Sequence, residues 1–418
     1  MARSDTAALL RRPGFARYFA TVAAARATGT MFNVAGVLLI LQRTHDLALA
    51  GVVVAAATLP GAFTGPFLGG WLDVTSSRRR LLVLDRAFTA AALVLVLVLT
   101  GHAPNWTLPL AGLLYGVTSP LSAGAFSSVL PEVAGRELLP VANAFEGASF
   151  NAAFIVGPAL SGLIAGSAGP AVALEVQLAS GIVLAALIAA DQTFELRPQH
   201  GEPPPESVRK AVGRGFAAIW RIEPLRWNSL VDSIYVLAWG TLYVGMPAYA
   251  IAVGGGAHVS GYMWATISAG SMVSGFALRR IGAGRAPRLV MGGWFAAMAL
   301  SAASWPLARG LAVALVLTFV TGLFDGPALV GLITVRQNLA PPHVRAQIFT
   351  TMGSLHSAVA ALGAAGAGLF QKAFGTDATL LAFAAVIALC ALCSVLTESD
   401  GTQTLLAASP ARPPGGAG

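Results

Sequence analysis

The sequence predicts an all-α integral membrane protein whose twelve transmembrane helices form two six-helix halves. The 418-residue chain is 56% hydrophobic and only 11% charged, whereas soluble proteins carry about 25% charged residues. Twelve stretches are apolar for about twenty residues, the length that crosses roughly 30 Å of hydrocarbon. Positive charge falls on alternate connections between these stretches. Lipid is therefore the main solvent of this chain.

The twelve predicted spans are numbered in chain order. They cover residues 15–42, 47–72, 81–101, 106–131, 140–166, 170–193, 226–252, 258–281, 287–307, 310–335, 345–371 and 378–397. Cations concentrate at the two termini and at connections 2-3, 4-5, 6-7, 8-9 and 10-11. Arg78 and Arg86 are interpreted as cations of connection 2-3, and Arg336 as a cation of connection 10-11. By the positive-inside rule, both termini and the long middle loop are cytoplasmic in a plasma (inner) membrane protein.

Other classes of protein do not fit this sequence. The net charge of +8 is spread over seven cytoplasmic edges without a nucleic-acid-binding motif, and anionic lipid headgroups account for it. The chain has no phosphate-binding loop, nucleophile elbow or zinc spacing, and Cys390 and Cys393 are interpreted as packing residues. We therefore expect no enzyme, ATP drive, metal or cofactor, and a monomer whose partners are the bilayer and a small molecule.

A polar, Pro-rich stretch divides the chain into two similar halves. The predicted organisation is a first half over 1–194, a cytoplasmic linker over 195–223, a second half over 224–398 and a disordered cytoplasmic tail over 399–418. Gly69 and Gly275 are 206 positions apart, as are Gly157 and Gly363. This near-constant offset indicates a duplicated six-helix unit. Parallel repeats of this kind place the substrate site between the halves, near the midplane.

The end of span 2 carries a sequence motif with a family resemblance. Gly69 is followed by Asp73 and then by Arg78 and Arg79, and this pattern resembles the loop 2-3 signature of the major facilitator superfamily. The resemblance implies gating: Gly69 permits close helix approach, and the Asp73 carboxylate meets a helix N-terminus or an arginine across the interface of the halves. The alternative is a polar helix end with an ordinary basic loop. The sequence departs from the signature at Val74, Ser76 and Ser77.

Span 5 carries a second motif, in which Gly157 and Pro158 are followed by Gly162. It resembles the helix 5 signature of antiporters in the same superfamily. Pro158 removes a backbone donor and bends the helix, while glycines let a neighbouring helix approach closely. Ordinary Gly-rich membrane packing is the alternative. Most of the chain also resembles actinobacterial members of the drug:proton antiporter branch, which implies the major facilitator fold.

Ionisable residues inside a membrane cost about 2.5–3.5 kcal/mol and therefore mark ion or substrate paths. Helices 1, 4, 7 and 10 line the cavity in the family that the sequence resembles, which favours Arg26 and Asp325 as cavity groups. Glycines flank Asp325 and Pro327 follows it, as expected for an interrupted helix beside a transport site. Asp325 is thus the first candidate for proton coupling, with Arg26 as its cation and Glu146 as the next carboxylate. A fixed structural pair between Arg26 and Glu146 is the alternative.

His356 in span 11 is a further proton-coupling candidate, with a helix-packing hydrogen bond as the alternative reading. Glu175 and Asp232 are interpreted as structural or interfacial residues. Tyr235, Trp239 and Tyr243 recur every four residues and share one face of span 7, which is able to stack a flat or cationic molecule or simply to pack. The full set of substrate-cavity candidates is Phe32, Tyr115, Tyr235, Trp239, Tyr243 and Phe324.

Together these features predict a secondary transporter that works by alternating access. The favoured function is proton-coupled export of a small, partly hydrophobic compound such as a drug or secondary metabolite. Uptake or facilitated diffusion of a small solute is one alternative. A transport-inactive membrane receptor or assembly partner is the other, since the loop 2-3 motif is thinned.

Overall fold

In the computed structural model, the structure describes residues 2–74, 77–135, 137–195, 208–277, 287–341 and 345–396. All regular secondary structure in these ranges is helical. Apolar composition explains this, because a backbone in hydrocarbon must satisfy its own hydrogen bonds and a helix does so within one segment.

A short helix, Ala2–Leu10, precedes the first half. In the first half, spans 1 and 4 each consist of two helices, and spans 2, 3, 5 and 6 are single helices. The first-half bounds are Phe15–Gly29 and Phe32–Thr44 for span 1, Leu47–Val74 for span 2, Arg78–Leu99 for span 3, Thr107–Val117 and Ser119–Ala134 for span 4, Leu139–Ala168 for span 5 and Pro170–Ala190 for span 6.

The second half begins after a helix that the sequence did not predict. This linker helix, Val208–Arg221, lies inside the segment interpreted as a polar loop, so that part of the interpretation is corrected. The remaining bounds are Glu223–Ala252 for span 7, Ser260–Ala277 for span 8, Pro287–Ala303 for span 9, Leu311–Leu339 for span 10 and Arg345–Leu396 for spans 11 and 12 together. Three one-turn 3₁₀ segments lie at Gln192–Glu195, Ala257–Val259 and Trp305–Leu307.

At the boundary between spans 11 and 12, two helices meet without a longer loop. Both lie within Arg345–Leu396, and they join at Gly375, whose backbone is not helical and whose φ of 82° is open to glycine without steric cost. By length and hydropathy, eight segments of the described residues are able to cross a membrane, and one of them, Thr351–Leu396, contains both spans 11 and 12. The spans lie in the predicted order, and their ends differ by a few residues.

The two halves pack through glycine-rich helix pairs. Span 2 lies against span 11, and span 5 lies against span 8. A side chain at Gly51 would meet the backbone of Ala364, and one at Gly162 would meet the backbone of Gly261. These four residues lie near the span ends that are joined by connections 1-2, 5-6, 7-8 and 11-12. We call the closed contact of Gly51 with Ala364 and of Gly162 with Gly261 the seam.

Candidate functional site

A buried ion pair joins spans 1 and 5 in the first half. Arg26 donates from Nη2 to Oε1 of Glu146 at 2.8 Å and from Nη1 to Oγ of Ser149 at 2.5 Å. Both charged side chains are largely buried. The structure therefore contains the alternative arrangement of these two predicted residues, and Arg26 does not pair with Asp325.

A second charged cluster joins spans 7, 10 and 11 in the other half. Oδ2 of Asp232 accepts a hydrogen bond from Nη2 of Arg336 and lies 2.5 Å from Nε2 of His356. The interpretation of Arg336 as a loop cation is wrong, because it lies in the last turn of span 10 and is buried. The sequence signal for this cluster was the depth of Asp232 and His356, but their shared partner was not visible in the sequence.

The two clusters occupy related places in the duplicated unit. Arg26 and Glu146 join spans 1 and 5, while Asp232 and His356 join spans 7 and 11, the corresponding helices of the second half. The order of acid and base is reversed between the halves. Span 1 carries the basic residue, Arg26, whereas the corresponding span 7 carries the acid, Asp232. Each half thus has its own charged connection between the same two helices.

Asp325 in span 10 has a different environment from these paired acids. The hydroxyl of Tyr235 donates to its Oδ1 at 2.6 Å, and Oγ of Ser271 donates to its Oδ2 at 2.9 Å. Only 4% of the residue is exposed. In the part of the chain that the structure describes, no ion pair joins Asp325 to a cation. Both carboxylate oxygens are therefore held by neutral donors from spans 7 and 8.

An aromatic cluster extends from Asp325 toward the seam. Trp239 lies 6.0 Å from the Tyr235 ring, measured between centroids, and Trp264 of span 8 lies 5.7 Å from Trp239 and 5.5 Å from Tyr243. Across the interface, Nδ2 of Asn33 donates to the Tyr243 hydroxyl at 3.3 Å. The structure brings the three predicted span 7 aromatics together and adds Trp264 and Asn33, which sequence reasoning missed because neither belongs to that stripe.

The remaining aromatic candidates lie apart from this cluster. The rings of Phe32 and Tyr115 stack at 4.5 Å inside the first half, where Phe32 is fully buried. Tyr115 donates to the Gly29 carbonyl at 2.8 Å. In this conformation, both residues support the break in span 1. The ring of Phe324 lies 6.4 Å from the ring of Trp294 in span 9, measured between centroids.

The span 5 motif packs against the break in span 1 and against the other half. Oγ of Ser161, inside the motif, donates to the Met31 carbonyl at 2.8 Å and accepts from the Ala35 amide at 3.1 Å. A side chain at Gly157 would meet Thr30, and one at Gly162 would meet Gly261 across the seam. Pro158 is buried within the continuous helix. The sequence predicted the close approach of the glycines but not the role of Ser161.

The loop 2-3 motif is described in part. Gly69 and Asp73 lie in the last turns of span 2, and the surroundings of their side chains fall outside the described residues. Arg79 pairs with Glu195, after span 6, at 2.8 Å. Arg78 is buried at the start of span 3. Further along the same helix, the consecutive residues Asp85 and Arg86 form a buried ion pair with each other. The interpretation of Arg78 and Arg86 as loop cations is thus corrected.

This architecture recurs in solved structures. A bacterial homologue of the human lysosomal transporter Spinster, in an inward-facing and unoccupied conformation, superimposes with a TM-score of 0.70 and 13% identity, covering 94% of this chain and 98% of that chain. The nucleoside transporter NupG gives a TM-score of 0.64 and 14% identity, covering 91% and 98%. These similarities concern the fold.

The Major Facilitator Superfamily model matches residues 18–363. The chain belongs to the major facilitator superfamily. Among curated members, the multidrug efflux pump Tap of Mycobacterium tuberculosis is 30% identical over 390 residues, covering 90% of each chain. An uncharacterized transporter of this superfamily from Sinorhizobium fredii, y4rN, is 28% identical over 375 residues, covering 86% of this chain and 89% of its own. The all-helical, twelve-span fold is that of a major facilitator transporter.

Proposed function

We propose that this major facilitator transporter exports a small, partly hydrophobic organic compound by alternating access and that inward proton movement drives the export. The similarity to an efflux pump over 90% of both chains supports the direction. The span 5 motif supports it as well. The observation that carries the proton coupling is the environment of Asp325, a buried carboxylate held by two hydroxyl groups.

Asp325 suits a proton carrier because its partners tolerate both protonation states. Glu146 and Asp232 are committed to arginines, and removing a charge from a buried ion pair leaves its partner uncompensated. Hydroxyl groups, in contrast, donate to an ionised carboxylate and also accept a hydrogen bond from a protonated one. The proton on Asp325 is therefore exchanged without breaking an ion pair.

The same residue connects the proton with the substrate. Tyr235 donates to Asp325 and begins the aromatic cluster that continues through Trp239 and Trp264. An aromatic or cationic compound stacks well on such a surface. A substrate bound there alters the hydrogen bond between Tyr235 and Asp325. Through this hydrogen bond, proton and substrate each weaken the binding of the other, and such reciprocal coupling supports antiport.

The arginine distribution supports an orientation with cytoplasmic termini. In that orientation the seam closes the outer side of the transporter. Substrate enters from the cytoplasm when Asp325 is ionised. Protonation of Asp325 from the outer side then favours substrate release there.

The test is transport of ethidium, an aromatic cation, into proteoliposomes with an imposed pH gradient. Asp325→Asn should abolish movement driven by the gradient and should leave exchange at equal pH in place, because asparagine has nearly the same shape as aspartate. Asp377→Asn, at an exposed carboxylate near the junction of spans 11 and 12, is the matched control and should transport normally. Full gradient-driven transport by Asp325→Asn would eliminate this carrier, and Glu146 would be tested next. Uptake along the proton movement would identify a symporter instead.

A further inference from the structure

The linker helix, Val208–Arg221, lies at the membrane surface because span 7 begins at Glu223, only two positions after the helix ends. One of its faces is anchored to the second half. Ile219 is buried in a small core with Leu225 of span 7 and Ile348 of span 11. The helix also contacts span 2 of the first half. It is thus held in place by packing and touches both halves.

A second face of the linker helix is aromatic and uncovered. Phe216 and Trp220 are one helical turn apart and are 58% and 61% exposed. Their rings are parallel within 7°, with centroids 6.3 Å apart. A shallow groove of about 310 Å³ lies beside them, between Gly213 and Arg221. Two large aromatic side chains so exposed at a membrane surface need an apolar or interfacial environment.

Positive charge borders this aromatic face. The Arg226 guanidinium lies 5.7 Å from the Trp220 ring centroid, and its Nη1 donates to the Trp220 carbonyl at 3.3 Å. By helical periodicity, positions 210, 214 and 221 lie along the side of the helix next to the groove, all three hold lysine or arginine, and Arg221 itself borders the groove. Glu223 is the one acidic residue in the sequence between positions 208 and 226. The segment is therefore strongly cationic beside an apolar edge.

We propose that the face formed by Phe216, Trp220, Arg221 and Arg226 binds anionic phospholipid of the cytoplasmic leaflet. The aromatic pair lies at the boundary between acyl chains and headgroups, and the cations meet lipid phosphates. Aromatic residues favour that boundary, and basic residues near an anionic leaflet gain binding energy there. The inference rests on the orientation given above, in which the linker is cytoplasmic. Lipid held on a helix that touches both halves biases their relative position.

Lipid contact is measured by fluorescence quenching in nanodiscs that contain the full-length protein. The discs contain phosphatidylcholine with increasing fractions of phosphatidylglycerol, and either lipid is brominated in the upper acyl chain. Subtracting the signal of Trp220→Phe isolates Trp220. Brominated phosphatidylglycerol should quench Trp220 more strongly than brominated phosphatidylcholine at equal fraction. Arg221→Gln should raise the phosphatidylglycerol fraction needed for half-quenching by about fivefold, the ratio that corresponds to about 1 kcal/mol for one basic residue.

Two matched controls separate this site from general membrane contact. Trp106 is 67% exposed in connection 3-4, at the opposite membrane surface, and its quenching should not depend on the lipid headgroup. Arg309→Gln, at an exposed position of connection 9-10, should leave the Trp220 signal unchanged. Quenching of Trp220 by aqueous iodide and by neither lipid would overturn the proposal and indicate a soluble partner. Equal quenching by both lipids, unaffected by Arg221→Gln, would overturn the headgroup preference. None of these readouts requires transport, so they stand apart from the test of export.

Discussion

At the scale of single residues, Asp232 is the acid whose loss should damage the protein most. It holds Arg336 and His356 together from three helices, and Asp232→Asn leaves the buried Arg336 guanidinium without its counter-charge. Losing one member of a buried pair costs about 3–5 kcal/mol. Thermal unfolding in detergent should therefore show a clear loss of stability for Asp232→Asn and none for the exposed Asp377→Asn. The double variant Asp232→Asn with Arg336→Gln should recover part of the loss, and a single variant as stable as the parent would contradict the role.

The charged residues also show what sequence reasoning is able to identify at this scale. Burial of Asp325 and the pairing of Arg26 with Glu146 were within reach, because charge inside an apolar run demands a partner. An arginine near a helix end usually extends to the interface, and this tendency predicts a loop position for Arg336. The Arg336 side chain turns into the protein because Asp232 of span 7 and His356 of span 11 lie on that side of span 10. Contacts of that kind depend on tertiary packing.

At the scale of elements, the break in span 1 depends on one side chain of span 5. Ser161 bonds the Met31 carbonyl and the Ala35 amide, which also bond each other, so Ser161→Ala removes two buried hydrogen bonds that contribute about 0.5–1.5 kcal/mol each. Ser167→Ala is the matched control, since that exposed serine bonds within its own helix. Ser161→Ala should lower the thermal stability and slow transport, while Ser167→Ala should do neither. Equal behaviour of the two variants would contradict a special role for Ser161.

The same break shows why helix continuity could not be predicted. The pair Gly29-Thr30 recurs as Gly240-Thr241, yet span 1 breaks there and span 7 continues. Tyr115 bonds the Gly29 carbonyl at the end of the first helix of span 1, and Ser161 bonds the Met31 carbonyl at the start of the second. Gly240 instead lies against span 11, where a side chain would meet Ala360. Identical dipeptides thus differ in outcome because their neighbours differ.

At the scale of the whole molecule, hydropathy and charge were enough for the twelve-span fold, since every span must satisfy its backbone in lipid. The linker helix is not predicted because its residues follow a run of prolines, although its apolar and basic residues alternate as in an amphipathic helix. The conformational state was also beyond the sequence. The state depends on which ends of the spans meet across the two halves. Glycines suited to close helix packing occur in both halves, so their presence alone does not identify those ends.

The closed seam gives the last prediction. Gly162 lies against Gly261, and an added side chain would overlap that backbone. Overpacking costs about 1–3 kcal/mol, and about 1.4 kcal/mol changes a population ratio tenfold, so Gly162→Val should open the seam in about ten times more molecules.

Asn33, which bonds Tyr243 below the seam, serves as the reporter when replaced by cysteine. An impermeant maleimide added on the side opposite the linker helix should modify Asn33→Cys about tenfold faster with Gly162→Val. Gly181→Val, on span 6 in open space, should leave the rate unchanged. Equal rates in both backgrounds would show that the glycine contact does not hold the halves closed, and control of access would then rest with the charged clusters.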